Sequence, residues 1–129
     1  MRHRKRRLRI GTDPSHRKAI FRGLMAQVLE HGRIKTTLAK AKALKAPLEK
    51  LITLAKIDTV ANRRLAFKKL NNKKALQDLF EVAGEEELRD RPGGYTRLMR
   101  LSERRLGDNA PQAFLSLVSF QFNEEPLED

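Results

Sequence analysis

Ile20, Phe21, Leu24, Met25, Val28 and Leu29 recur at spacings of three and four residues, which lays one apolar stripe along a helix. Asp13-Pro14-Ser15 supplies the start, with Asp13 or Ser15 as N-cap and Pro14 in the first turn. Gly32 is placed to end this helix in the left-handed conformation. Arg33-Ile34-Lys35-Thr36-Thr37 alternates apolar and polar positions and is rich in β-branched residues, so a short strand follows. Thr37 then caps a second helix with apolar positions Leu38, Ala41, Leu44, Leu48, Leu51, Ile52 and Ala55. Pro47 lies inside that run, and the expectation is a kink there, or a break with Pro47 opening a new piece. Asp58 or Thr59 caps a third helix that runs through Leu70. Asn72 caps a fourth with Leu76, Leu79, Phe80 and Ala83 on its inner face, ended by Gly84 and the acids after it.

Beyond Arg91-Pro92-Gly93-Gly94 the pattern changes. Tyr95 to Leu101 and Ala113 to Phe120 read as strands, and Gly107-Asp108-Asn109 between them is a turn signal. These segments predict a β-hairpin with 33–37 as third strand. The fold class is therefore α+β, with about four helices packed on one face of a small three-stranded sheet. Phe21, Phe67, Phe80 and Phe114 are assigned to the core. Residues 13–120 form the expected globular domain, flanked by a basic arm at 1–12 and an acidic tail at 121–129, both predicted to be mobile.

Charge then narrows the partner. Of 129 residues, 28 are Lys or Arg and 16 are Asp or Glu, a net charge of +12 that favours a polyanion. Residues 1–75 hold 22 basic and 4 acidic side chains, whereas residues 76–129 hold 6 and 12. The first half therefore reads as the binding half. Arg2, Arg4, Lys5, Arg6, Arg7 and Arg9 crowd together without one acid, a run that repels itself and should be disordered when free. Its bias to arginine suits bidentate phosphate contacts, and its first ten residues extend to about 30–35 Å. No cysteine is present, which suits a reducing compartment. No apolar run is long enough to span a bilayer, and the N-terminus lacks the apolar stretch of a secretory signal.

Catalytic constellations are not found. His3, His16 and His31 are scattered, and Glu85-Glu86-Glu87 reads as a solvated loop because consecutive carboxylates cannot converge on one ion. No phosphate-cradling glycine motif is present, so no enzyme, cofactor, metal or small-molecule substrate is expected. Nucleic-acid binding instead has abundant material. Each cation set on a phosphate releases counterions and adds salt-sensitive affinity. His16, Arg17, Lys18 and Arg22 lie near the start of the first helix, where backbone N–H groups also attract anions. Arg33 and Lys35 leave the strand on one face, and Lys42 and Lys45 share a helical face at i, i+3. Tyr95, beside the glycines and Arg97, is the one aromatic that reads as exposed or packed with equal ease. A competing reading makes the third and fourth helices a helix-turn-helix for DNA, with Arg63, Arg64, Lys68 and Lys69 nearby, but its reading helix turns apolar and acidic after Lys74.

Several blocks together resemble a known family. They are Met1-Arg2-His3-Arg4-Lys5, then Ser15-His16-Arg17 with the helix running to His31-Gly32-Arg33-Ile34-Lys35-Thr36-Thr37, then Ala39-Lys40-Ala41-Lys42-Ala43-Leu44 and Leu51-Ile52-Thr53-Leu54-Ala55-Lys56. Arg91-Pro92-Gly93-Gly94-Tyr95-Thr96-Arg97 and Arg104-Arg105-Leu106-Gly107-Asp108-Asn109-Ala110 complete the series. In this order the chain resembles the bacterial large-subunit ribosomal protein L-seventeen family over about residues 1–118. The resemblance implies a single-copy, ribosome-bound cytoplasmic protein near the polypeptide exit region, contacting large-subunit ribosomal RNA and neighbouring ribosomal proteins, with no membrane partner. It places Arg2, His3, Arg4, Lys5, Arg6, Arg7, Arg9, His16, Arg17, Arg33, Thr36, Thr37, Tyr95 and Arg97 near RNA. Lys18, Arg22, Lys35, Lys40, Lys42 and Lys45 complete the expected RNA-binding set. Three departures stand out. Arg7 to Pro14 differs from the usual arm, Lys45 stands where the family favours arginine, and Ser119 to Asp129 extends past the family's usual end.

Overall fold

The computed structural model describes residues 13–120, so the expectations for the arm and the tail lie outside the described residues. Among the described residues, the order is α1 (Pro14–His31), β1 (Arg33–Thr37), α2 (Leu38–Ala55), α3 (Val60–Leu70), α4 (Lys73–Ala83), α5 (Glu86–Arg89), β2 (Thr96–Arg104) and β3 (Pro111–Leu117). The α+β expectation holds, with one short helix added. α5 forms where a solvated loop is expected at Glu85-Glu86-Glu87. Two carboxylates in its first turn favour the positive end of the helix, and Leu88 on the same turn is fully buried.

Local chemistry sets the helix ends. The Asp13 carboxylate accepts from the His16 backbone N–H at 2.7 Å, and the Thr37, Thr59 and Asn72 side chains cap α2, α3 and α4 in the same way. Gly32 ends α1 at φ 79, and Asn71 takes the same left-handed role after α3 at φ 50. A Cβ on Gly32 would stand 2.6 Å from the Phe120 ring, so this turn needs both the conformational freedom and the missing side chain.

Pro47 neither breaks α2 nor starts a new piece of it, because the helix runs unbroken through it. Burial accounts for the difference: Leu44, Leu48 and Ile52 are fully buried and Leu51 nearly so, which outweighs the one lost backbone donor.

The sheet order is β1-β3-β2, all antiparallel, so the last strand is central. Ile34, Leu115 and Leu98 stand in register on the face that joins the helical core. The register shifts between Arg100 and Arg104, a bulge that leads into the hairpin tip. At that tip Asp108 binds the Arg105 guanidinium and accepts from the Ala110 N–H at 3.1 Å.

None of the four phenylalanines assigned to the core belongs to its buried set. Phe21 and Phe80 are half-buried and pack against it from outside, and Phe67 is exposed. Phe114 lies on the opposite face of the sheet, one residue out of phase with Leu115. The large ring that is buried is Tyr95, at 1% exposure.

Leu44→Ala should destabilise the protein by about 2–5 kcal/mol, measured by urea unfolding, because the site is enclosed on all sides. At the hairpin, the Arg105 guanidinium lowers the Asp108 carboxyl from 3.8 to about 2. Its stabilising effect is complete above pH 3.8 and is lost as pH falls toward 2. An NMR titration should find the Asp108 midpoint near 2, returning toward 3.8 in Arg105→Ala.

Candidate nucleic-acid interface

The expected RNA-binding residues divide between two surfaces. The first is a groove where α1, α2 and α3 meet, seen as two adjoining cavities of about 610 and 480 Å³. Phe21, Met25 and Pro47 line both, and Leu65 completes an apolar floor. Arg17 and Lys18 from α1 and Lys42 from α2 stand on the rim with Arg22, whose Nε donates to the Lys69 carbonyl at 3.2 Å. Three further cations that the expected RNA-binding set leaves out line the groove: Lys50 from α2, and Lys68 and Lys69 from α3, which the sequence offers only to the alternative DNA-binding reading. Lys50 was legible in principle, since it follows Lys42 by two helical turns and so shares its face. Lys68 and Lys69 reach the groove only through packing of α3 against α1, and nothing local signals that. Among the described residues, no acidic side chain lines either cavity.

Lys42 and Lys45 do not act as a pair here. Lys42 is exposed and lines the groove, whereas Lys45 is half-buried and does not. Lys40 is half-buried in the first turn of α2, where its backbone N–H donates to the Thr37 cap. His16 is exposed in the first turn of α1, and its backbone N–H is likewise used by Asp13.

The second surface is the sheet face turned away from the core. Register puts Arg33, Ser116 and Arg97 side by side, then Lys35, Phe114 and Met99, then Thr37 and Gln112. The Arg33 guanidinium lies over the Phe114 ring at 4.4 Å and the Phe120 ring at 5.3 Å. Arg33 and Arg97 come from the basic and acidic halves of the chain, so division along the sequence is not division in space. Thr36 faces the other way, paired with Ala113 and half-buried.

Tyr95 needs correction as an RNA-facing residue. It is buried, its hydroxyl donates to the Arg91 carbonyl at 3.2 Å, and the Lys56 ammonium lies 4.7 Å from its ring centre. Lys56 also donates to that carbonyl, so Tyr95 and Lys56 together fasten the segment entering β2 onto the end of α2. Nearby, Glu49 accepts from the Thr96 hydroxyl at 2.9 Å.

The alternative helix-turn-helix is poorly furnished. Arg63 is held by Asp58 in a bidentate pair at 2.6 and 2.8 Å and lies over Phe80, and Lys74 is paired with Glu30 at 2.6 Å. α4 turns Ala75, Leu79, Val82 and Ala83 inward, so little of it is left to read a groove.

The family model for Ribosomal protein L17 matches residues 20–118, which takes in the last two thirds of α1 and every later described element. The chain belongs to this family. It is therefore a structural constituent of the large ribosomal subunit, with ribosomal RNA and neighbouring ribosomal proteins as partners. The match begins within α1 and ends at Val118, just after β3, so the basic arm and the acidic tail fall outside it. No described helix is long and apolar enough to cross a membrane.

A paired substitution separates packing from binding at Tyr95. Tyr95→Phe should hold RNA affinity within about twofold, while Tyr95→Ala should cost about 3–5 kcal/mol of stability in thermal or urea unfolding.

Proposed function

We propose that this chain is a single-copy protein of the cytoplasmic large subunit, seated near the polypeptide exit region, where it neutralises phosphates and holds ribosomal RNA segments together. The observation that carries this reading is the acid-free ring of cations around the α1–α2–α3 groove. A groove lined by one sign of charge concentrates a polyanion and strengthens its hold by counterion release.

The arm residues Arg2, His3, Arg4, Lys5, Arg6, Arg7 and Arg9 join the chain through the start of α1, one turn before Arg17. Their charge has the same sign as that of the groove, and their proposed role is to add phosphate contacts to it. Arg33, Lys35, Thr37 and Arg97 form a second contact on the sheet, reached from Arg17 along roughly 24 Å of α1. That separation suits a protein that bridges two RNA segments. The location near the exit region rests on the resemblance of the sequence blocks. Ile57 and Val60, each 66% exposed, give neighbouring proteins an apolar surface to cover.

Sedimentation of the full chain with large subunits across a salt series tests this. The full chain should travel with the subunit, and deletion of residues 2–9 should flatten the salt dependence. The slope should fall by roughly 0.7–0.9 for each phosphate contact removed. A slope unchanged by the deletion rules the arm out as an RNA contact, and a chain that stays at the top of the gradient at low salt overturns the assignment.

A further inference from the structure

The geometry points to the α1–α2–α3 groove as a pocket for one unpaired nucleotide of the RNA, its base held on the apolar floor and its flanking phosphates on the cationic rim. This rests on the RNA-binding role proposed above and names the feature of RNA that the groove selects.

A surface that only neutralises a duplex backbone has no use for an open apolar floor, because phosphates and sugars are all that a helix offers it. Here the floor is large. Phe21, Met25, Pro47 and Leu65 line it, and Leu65 is 51% exposed. A solvated lysine-rich face would not leave these side chains in a depression. The two cavities, about 610 and 480 Å³, each fall within the roughly 300–1,000 Å³ of built small-molecule sites. They share Phe21, Met25, Pro47 and Lys69, so they form one continuous trough and not two separate pits.

The charge is arranged to suit a strand that passes through. Lys42 and Lys50 line one cavity, Lys18, Arg22 and Lys68 the other, and Lys69 both. A nucleotide whose base enters the trough therefore has cations on either side for the phosphates before and after it. Phe21 and Pro47, both half-buried, line both cavities, and Leu65 lines the second, so the apolar material for a base lies in the middle of the trough. Paired bases cannot enter, so the ligand is a bulged or looped-out nucleotide.

The test uses the full chain and two RNA hairpins that differ by one unpaired adenosine, with 2-aminopurine at that position in a parallel set. We expect the bulged hairpin to bind about tenfold tighter than the flush one, the order of one stacked base. The 2-aminopurine emission should change on binding. Leu65→Ser, at an exposed position, and Phe21→Leu, which keeps an apolar side chain, should each lower the ratio of bulged to flush affinity, with an unchanged circular dichroism spectrum showing that the fold is kept. Equal affinity for both hairpins, with no emission change, overturns the groove while leaving the proposed function standing. Failure to bind either hairpin or the intact subunit overturns the proposed function itself.

Discussion

Burial of one face of α2 is the constraint on which the rest of the molecule depends. Ala41, Leu44, Leu48, Leu51, Ile52 and Ala55 form a single stripe, and α1, α3, α4 and all three strands touch this helix. Small residues at the two ends of the stripe and large aliphatic ones between them let neighbours approach closely without voids. With that face committed to the core, the opposite side of α2 is left to solvent, and it carries Lys42, Ala46 and Lys50. Core and groove are thus two sides of one helix. The periodicity that buries the leucines also aims the lysines.

The second consequence of that packing is the separation of two basic surfaces. α1 contributes Arg17, Lys18 and Arg22 near its beginning and passes directly through Gly32 into Arg33 at its end. The left-handed turn at Gly32 leads the chain into β1, and hydrogen bonds from β3 then fix the outward direction of Arg33 and Lys35. Phe114 and Phe120 complete this second surface by supporting the Arg33 guanidinium. One helix therefore sets the distance between the two basic surfaces.

Much of the fold was legible in the sequence because its signals are local. Asp13, Thr37 and Asn72 cap the helices they precede, and the alternation of residues 33–37 gives the strand. The errors fall where tertiary context decides. Of the kink or break expected at Pro47, the break does not occur, because a helix packed on neighbouring helices and sheet can absorb the lost hydrogen bond. Hydrophobicity alone points all four phenylalanines inward; Phe21 and Phe80 do pack against the core, whereas Phe67 is exposed and Phe114 is turned outward by a register that a single strand does not reveal. Tyr95, beside two glycines, reads in sequence as exposed or packed with equal ease, and only the end of α2, which brings Lys56 to it, decides for the buried place. The site was half legible for the same reason. Arg17, Lys18, Arg22 and Lys42 stand out as charges on a helix, whereas Lys68 and Lys69 join them only across a helix–helix contact.

The position of β3 has a consequence for synthesis. Among the described residues, β1 and β2 share no hydrogen bonds with each other, and each pairs only with β3, the last described strand to be made. Arg33 finds its partner at Ser116, more than eighty positions later. Contacts this distant form slowly, because a long loop must close before they contribute. During translation the helices can collapse around α2, but the sheet cannot close until residue 117 has been added. The basic first half thus exists as charged, unfinished protein for most of its own production. A newly made chain can meet RNA electrostatically before it has the shape to discriminate among RNAs.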